Sequence, residues 1–114
     1  LLRGNEPAPL APDVLAIPVP GHTRGSTVYL FDDGVLLTGD SLAWDRRRQD
    51  LTAFRRACWY SWTEQRASLA RLAAYAFCWV LAGHGDRHKA TAEEMHARLL
   101  RLVERMADDR AWRS

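Results

Sequence analysis

The order of patterns along these 114 residues predicts an α/β sandwich, a mainly antiparallel sheet carrying helices on its outer face. Three observations predict it. Two apolar runs, Thr27-Val28-Tyr29-Leu30-Phe31 and Val35-Leu36-Leu37-Thr38, flank Asp32-Asp33-Gly34, and an Asp-Gly pair between such runs marks a hairpin. The run Phe77-Cys78-Trp79-Val80-Leu81 follows a stretch of helical period, as a buried strand reached by a helical crossover does. Two capping boxes, Ser61-x-x-Glu64 and Thr91-x-x-Glu94, open the helices, each pairing a hydroxyl and a carboxylate with two free amides.

Taken in order, residues 1–13 hold Pro7, Pro9 and Pro12 with no helical or strand period, and are read as an irregular lead-in to a single domain over 14–114. The chain opens on Leu1 rather than Met, and a piece entered in mid-chain is expected. Val14 to Val19 reads as a strand whose Pro18 places it at an edge or near its end. The hairpin follows, with positive φ expected at both central turn residues. Its return strand brings Asp40 back toward His22 and Thr23. From Ser41 to Tyr60 the period is lost, and a loop or broken helix is predicted. The first helix carries Leu69, Leu72, Ala73 and Ala76 on one face and is expected to end near Tyr75. The second runs to about Asp108 with Ala92, Met95, Leu99, Leu102, Val103 and Met106 as its apolar stripe.

Composition excludes several classes. With 47% hydrophobic and 26% charged residues the chain is neither disordered nor membrane-embedded, and no apolar run approaches the roughly 20 residues of a membrane helix. A net charge of +2 is too small to argue for nucleic acid, although all but Lys89 of the 16 basic residues are Arg. That excess reads first as coding bias. Cys58 and Cys78 lack Cys-x-x-Cys spacing, so reduced thiols in a cytoplasmic protein are the default and a disulfide between them is the alternative.

Chemistry concentrates at three strand ends. Gly21-His22, Gly39-Asp40 and Gly83-His84 each place a metal-donor side chain after a glycine and an apolar run. Neighbouring strand ends make donors converge without long side chains, and glycine lets the backbone approach an ion closely. Two imidazoles and a carboxylate suit zinc, and also iron or manganese, better than calcium or copper(I).

These motifs, Pro20-Gly21-His22-Thr23-x-Gly25-Ser26, Thr38-Gly39-Asp40 and Gly83-His84-Gly85, resemble the second half of a metallo-β-lactamase-fold hydrolase over about residues 14–106. The resemblance implies half of an αββα sandwich. It implies that His22 binds one metal, Asp40 bridges two and acts catalytically, and His84 binds the other. The family's remaining ligands come from an upstream His-x-His-x-Asp-His motif that this sequence does not contain. The N-terminal half of the same domain is therefore an expected partner, and these residues alone are expected to be inactive. Two ions bridged by a carboxylate lie about 3.5–4 Å apart and activate water near neutral pH, so no Ser or Cys nucleophile is required. The implied activity is hydrolysis of an ester, thioester, lactone or phosphodiester in a small molecule. A glyoxalase-II-like thioesterase shares the Pro-Gly-His-Thr and Thr-Gly-Asp motifs but usually has His where Ser26 stands. The alternative is a non-catalytic binding or regulatory module that keeps the fold.

Residues around the donors carry two readings each. Thr23 and Ser26 serve turn chemistry or contact a ligand from behind. Asp86 and His88 are placed on a solvated loop after His84, with contact to substrate or to a ligand from behind as the alternative. His96 in the last helix is read as structural or exposed. Arg46, Arg47, Arg48, Arg55 and Arg56 either line the active-site mouth to meet an anionic substrate group or form a solvated loop. Trp59 and Trp62 are read as packing residues.

Overall fold

The computed structural model describes residues 6–55, 58, 60–83 and 86–108. It contains strands β1 (Ala8–Ala11), β2 (Val14–Pro18), β3 (Thr27–Phe31), β4 (Val35–Gly39), β5 (Ala43–Asp45) and β6 (Asp50–Thr52). Helix α1 (Trp62–Leu72), strands β7 (Trp79–Ala82) and β8 (His88–Lys89), and helix α2 (Ala92–Met106) follow. Six strands form one sheet in the order β1-β2-β3-β4-β7-β8, and β5 pairs with β6 in a second. Every neighbour in the large sheet is antiparallel except β4 and β7, which run parallel. A parallel pair needs a crossover, and α1 lies in it.

The hairpin forms as predicted, but its turn differs. Leu30 faces Leu36 across the ladder, leaving Asp32, Asp33 and Gly34 as a three-residue loop. Gly34 alone takes positive φ, at 86°, and donates its N–H to the Phe31 carbonyl at 2.9 Å. This is a three-residue turn closed by one left-handed glycine, so Asp33 needs no unusual backbone. Both helix starts form the hydroxyl half of their capping boxes: the amides of Glu64 and Glu94 donate to Ser61 Oγ and Thr91 Oγ1, each at 3.1 Å, while the Ser61 amide donates to the Gly21 carbonyl at 2.9 Å rather than to the Glu64 carboxylate.

Alternation along the strands separates two faces. Ile17, Val28, Leu36 and Val80 point to the helices and are at most 3% exposed. They meet Leu69, Leu72, Met95, Leu99, Leu102 and Met106 in one core, where each fully buried side chain of this size contributes about 1.5–3 kcal/mol relative to exposure. Trp62 and Arg66 lock α1 to α2, donating to the carbonyls of Met106 at 3.1 Å and Val103 at 2.9 Å. On the opposite face Phe31, Val35, Leu37, Trp79 and Leu81 are only half-buried and Tyr29 is exposed.

Several expectations need correction. Ala8–Ala11, inside the expected irregular lead-in, pairs antiparallel with β2, because an edge position needs no strand period of its own. The stretch 41–60, expected as a loop or broken helix, contains the β5–β6 hairpin. Its strands have three residues each, too short to show a period. Its turn is held by Asp45, whose Oδ1 accepts the Arg47 amide at 2.9 Å, and by Gln49 at φ 53°. Helix α1 stops at Leu72 rather than near Tyr75, and its buried residues include Gln65 and Ser68 rather than Ala73 and Ala76. Strand β7, expected to be fully buried, buries only Val80 completely.

Candidate metal-binding site

The end of β2 turns at Pro20 into a loop closed by Val19 N–H donating to the Ser26 carbonyl at 2.8 Å. Helix α1 and the segment before it hold this loop. Ser68 Oγ donates to the Pro20 carbonyl at 2.7 Å. The Gly21 carbonyl accepts from the Ser61 amide at 2.9 Å, the Tyr60 amide at 3.3 Å and the Cys58 thiol at 3.1 Å. Gly21 sits against the backbone of Gln65 with φ +152°, and a Cβ there would lie 2.2 Å from Gln65 Cα. Only glycine allows this approach.

The second donor follows β4. Thr38 is buried and its hydroxyl donates to the Leu42 carbonyl, while the Ser41 amide returns to the Thr38 carbonyl at 3.0 Å. Gln65 reaches across from α1, and its Nε2 donates to the Ser41 carbonyl at 3.1 Å. These constraints bring His22 Nε2 to 3.4 Å from Asp40 Oδ2, with the side chains 14% and 35% exposed. His22 is thus mostly enclosed while the carboxylate opens to solvent.

The third strand end arrives at the same place. Gly83 follows β7, donates its N–H to the Gly39 carbonyl at 2.7 Å, and comes within 3.5 Å of Asp40 Oδ1 at its Cβ position. His84 and Gly85 lie outside the described residues, as do Arg56 and Trp59. Among the described residues no group of three or more His, Cys, Asp and Glu side chains forms a metal cluster. The pair that is described fits a metal nonetheless. Two donors each about 2.1 Å from a tetrahedral zinc lie about 3.4 Å apart, which is the separation of His22 Nε2 and Asp40 Oδ2.

The other candidates fall differently. Thr23 and Ser26 bond each other, Oγ1 to Oγ at 2.8 Å, and Ser26 Oγ also accepts the Thr23 amide at 3.0 Å. Arg46 is bidentate on Asp86, at 2.6 and 3.0 Å, and this hydrogen bond holds the Asp86 carboxyl below its ordinary range. Arg47 lies exposed in the β5–β6 turn, and Arg55 stacks over the Trp62 ring at 5.2 Å. Asp86 and His88, expected on a solvated loop, are instead built into structure. Asp86 bridges to Trp44, and His88 lies in β8 with its ring stacked on Trp44 at 3.5 Å. Trp44 is itself covered by Arg98 at 5.2 Å. His96 is exposed.

Sequence reasoning missed three residues that hold the site: Cys58, Gln65 and Ser68. Burial pushes the Cys58 thiol above its usual range. Gln65 had a signal, since it stands four and seven residues before Leu69 and Leu72 and so interrupts an apolar stripe with a polar side chain. Its Oε1 is buried without a hydrogen-bond partner among the described residues, as is His22 Nδ1.

No family profile and no curated protein matches the chain. Solved structures do. A metallo-beta-lactamase superfamily protein from the archaeon Sulfolobus tokodaii is 25% identical and aligns with 88% of this chain and 38% of its own, at a TM-score of 0.56. A metallo-beta-lactamase family protein from Thermus thermophilus is 24% identical over 93% of this chain and 34% of its own, at 0.62. The DIM-1 metallo-beta-lactamase is 17% identical over 91% of this chain and 46% of its own, at 0.56. The chain therefore spans between 34% and 46% of the length of these structures.

Proposed function

Because this chain carries part of a metallo-β-lactamase-superfamily fold, we propose that it is the C-terminal half of a metal-dependent hydrolase acting on an ester, thioester, lactone or phosphodiester bond. The observation that carries the reading is the His22–Asp40 donor pair, 3.4 Å apart at the strand ends where Gly83 also arrives. His22 and Asp40 would hold the metal together with His84. The donor set favours zinc, as two ions in the intact protein, with iron or manganese as alternatives. When bound, such a metal supplies Lewis acidity and the activation of water.

The chain's own residues account for the rest. His22 would offer Nε2 as a lone-pair donor, from a side chain that is only 14% exposed. Asp40 brings the negative charge that a dinuclear site needs, and its 35% exposure leaves room for substrate at the carboxylate. Gly83 packs against Gly39 and the Asp40 carboxylate, with its Cβ position 3.5 Å from Asp40 Oδ1.

The reading also assigns a partner, the N-terminal half of the same domain. The half-buried apolar face of Phe31, Val35, Leu37, Trp79 and Leu81 supports it, as does the fraction of the matching structures that the chain spans. Two unpaired cysteines support a cytoplasmic location. Among the described residues no helix is long and apolar enough to cross a membrane.

The test compares Asp40→Ala with His84→Ala in the intact protein across a zinc titration, on thioester, lactone and phosphodiester substrates. Loss of an outer contact already costs about 10–100-fold in affinity or activity, so loss of a shared ligand should cost more. Asp40→Ala is expected to stay near-inactive in excess zinc, and His84→Ala to recover in part. Parent-like hydrolysis by Asp40→Ala would remove the dinuclear reading. A parent protein that binds zinc and hydrolyses none of the panel would favour a binding module instead.

A further inference from the structure

Two polar atoms near the donor pair are buried without a partner among the described residues: Nδ1 of His22 and Oε1 of Gln65. Leaving either unsatisfied costs more than an ordinary hydrogen bond returns, so each calls for an explanation. A closed ring of contacts makes the two residues that carry them neighbours. Gly21, the residue before His22, packs on the Cα and Cβ of Gln65. The amide of Gln65 is anchored on the Ser41 carbonyl at 3.1 Å. Ser41 follows Asp40, and the Asp40 carboxylate faces His22 Nε2 at 3.4 Å. The Gln65 side chain is 1% exposed, so bulk water does not compete for its oxygen.

The chemistry is complementary. With Nε2 committed to a metal as a lone-pair donor, neutral imidazole carries its proton on Nδ1, which then needs an acceptor. An amide whose nitrogen is already donating to Ser41 has its carbonyl oxygen left over for that purpose. We propose that Gln65 is a positioning residue for the site: its Oε1 accepts the Nδ1–H of His22 through one buried water, and fixes the tautomer that leaves Nε2 free toward Asp40. By holding Ser41 with its other end, the same side chain sets the distance between the two donor loops. The proposal rests on the metal-site reading above.

The experiment is nitrogen-15-edited NMR of the imidazole N–H protons in the intact protein, metal-free and zinc-loaded, with His22 assigned by its loss in His22→Gln. Zinc dissociation constants are measured on the same samples by chelator competition. In the parent, zinc should shift Nε2 of His22 and leave an exchange-protected Nδ1–H. Gln65→Met removes the acceptor at similar volume, and should abolish that protection and weaken zinc by roughly 10–100-fold. Gln65→Glu keeps an acceptor and should retain the protected proton. A purely structural role would lower the thermal midpoint of both variants alike and leave the Nδ1–H signature in place. Should Gln65→Met fail to fold, the parent spectrum still decides: a zinc-loaded His22 bound through Nδ1, or with a rapidly exchanging Nδ1–H, overturns the proposal. No zinc-dependent shift at His22 in the parent would overturn the metal reading itself. A normal shift with an unaltered Gln65→Met spectrum would overturn the role of Gln65 alone.

Discussion

Replacing Gly21 with Ala should unfold the site before it touches any donor. The new Cβ would lie 2.2 Å from both Cα and Cβ of Gln65 and 2.5 Å from its backbone nitrogen. Those atoms belong to the buried face of α1, which also carries Leu69 and Leu72, so a retreat of the helix would pull these side chains out of the core. The φ of +152° adds strain that an L side chain rarely tolerates, worth about 1–3 kcal/mol, and the overpacking costs about 1–3 kcal/mol more. The loss of about 2–6 kcal/mol compares with about 5–15 kcal/mol for a whole domain. Gly25 provides the control, since a Cβ there meets nothing within 4 Å among the described residues. Urea denaturation followed by circular dichroism reads the difference. With a slope of about 2 kcal/mol per molar, Gly21→Ala should drop the midpoint by about 1–3 M, and Gly25→Ala should stay within about 0.5 kcal/mol of the parent. Equal midpoints for the two variants would refute the close approach of α1 to the His22 loop.

Two further outcomes follow from buried or half-buried titratable groups. Burial alone would raise the pKa of Asp50, but hydrogen bonds from Arg98, the Leu51 amide and Arg105, with the charge of Arg105, outweigh it and hold the carboxyl below its ordinary range. A depressed folded-state pKa gives stability that is fully present above the unfolded value of about 3.9 and is lost as pH falls through the folded one. Asp50→Asn should therefore be less stable at neutral pH and show a flatter decline in melting temperature between about pH 5 and pH 2. Parallel acid limbs would remove the link between β6 and α2. Cys58 and Cys78 both stand unpaired, so denatured, unreduced protein should take up alkylating agent at both, as read by mass spectrometry. In the folded protein Cys58 should need a higher pH to react, because burial raises its pKa; equal folded and unfolded rates would contradict its placement against Gly21.

The parts of the fold that could be read from sequence are those written in local chemistry. The hairpin around Gly34, the two N-cap hydroxyls and the period of α2 depend on residues within a few positions of one another, and all three are present. The β5–β6 hairpin is different. Its strands have three residues each, and it is held by contacts more than 40 positions away: Asp50 to Arg98 and Arg105, and Trp44 between His88 and Arg98. No window of sequence contains those partners. The site shows the same division. The candidate donors His22 and Asp40 are marked in the sequence by their repeating glycine neighbours, whereas Gln65 is marked only by its break in an apolar stripe, and its partner Gly21 stands more than 40 positions away. The arginines of the 46–55 stretch show why composition misleads, since Arg46 and Arg55 are engaged by Asp86 and Trp62.

The open face of the sheet provides the remaining test of the proposed partner. Register sets Tyr29 opposite Leu37, and Leu37 opposite Leu81, in a row whose neighbours Val28, Leu36 and Val80 point the other way into the core. A face this apolar on a six-stranded sheet is unlike one designed for water, where alternate residues would be polar. If the N-terminal half covers it, Leu37 is a core residue of the intact protein although it is only half-buried in this chain. Leu37→Glu would then lose a buried side chain, costing about 2–5 kcal/mol, and strand a carboxylate with no partner, which adds several kcal/mol more. Leu100→Glu is the comparison, because Leu100 is 43% exposed on α2 and such surface changes stay within about 0.5 kcal/mol. Denaturant midpoints of the two variants in the intact protein should differ by more than about 1 M for a slope of about 2 kcal/mol per molar. Matching midpoints would mean that the face is open to solvent in the intact protein, and that whatever completes the ligand set around His22 and Asp40 does not arrive across this sheet.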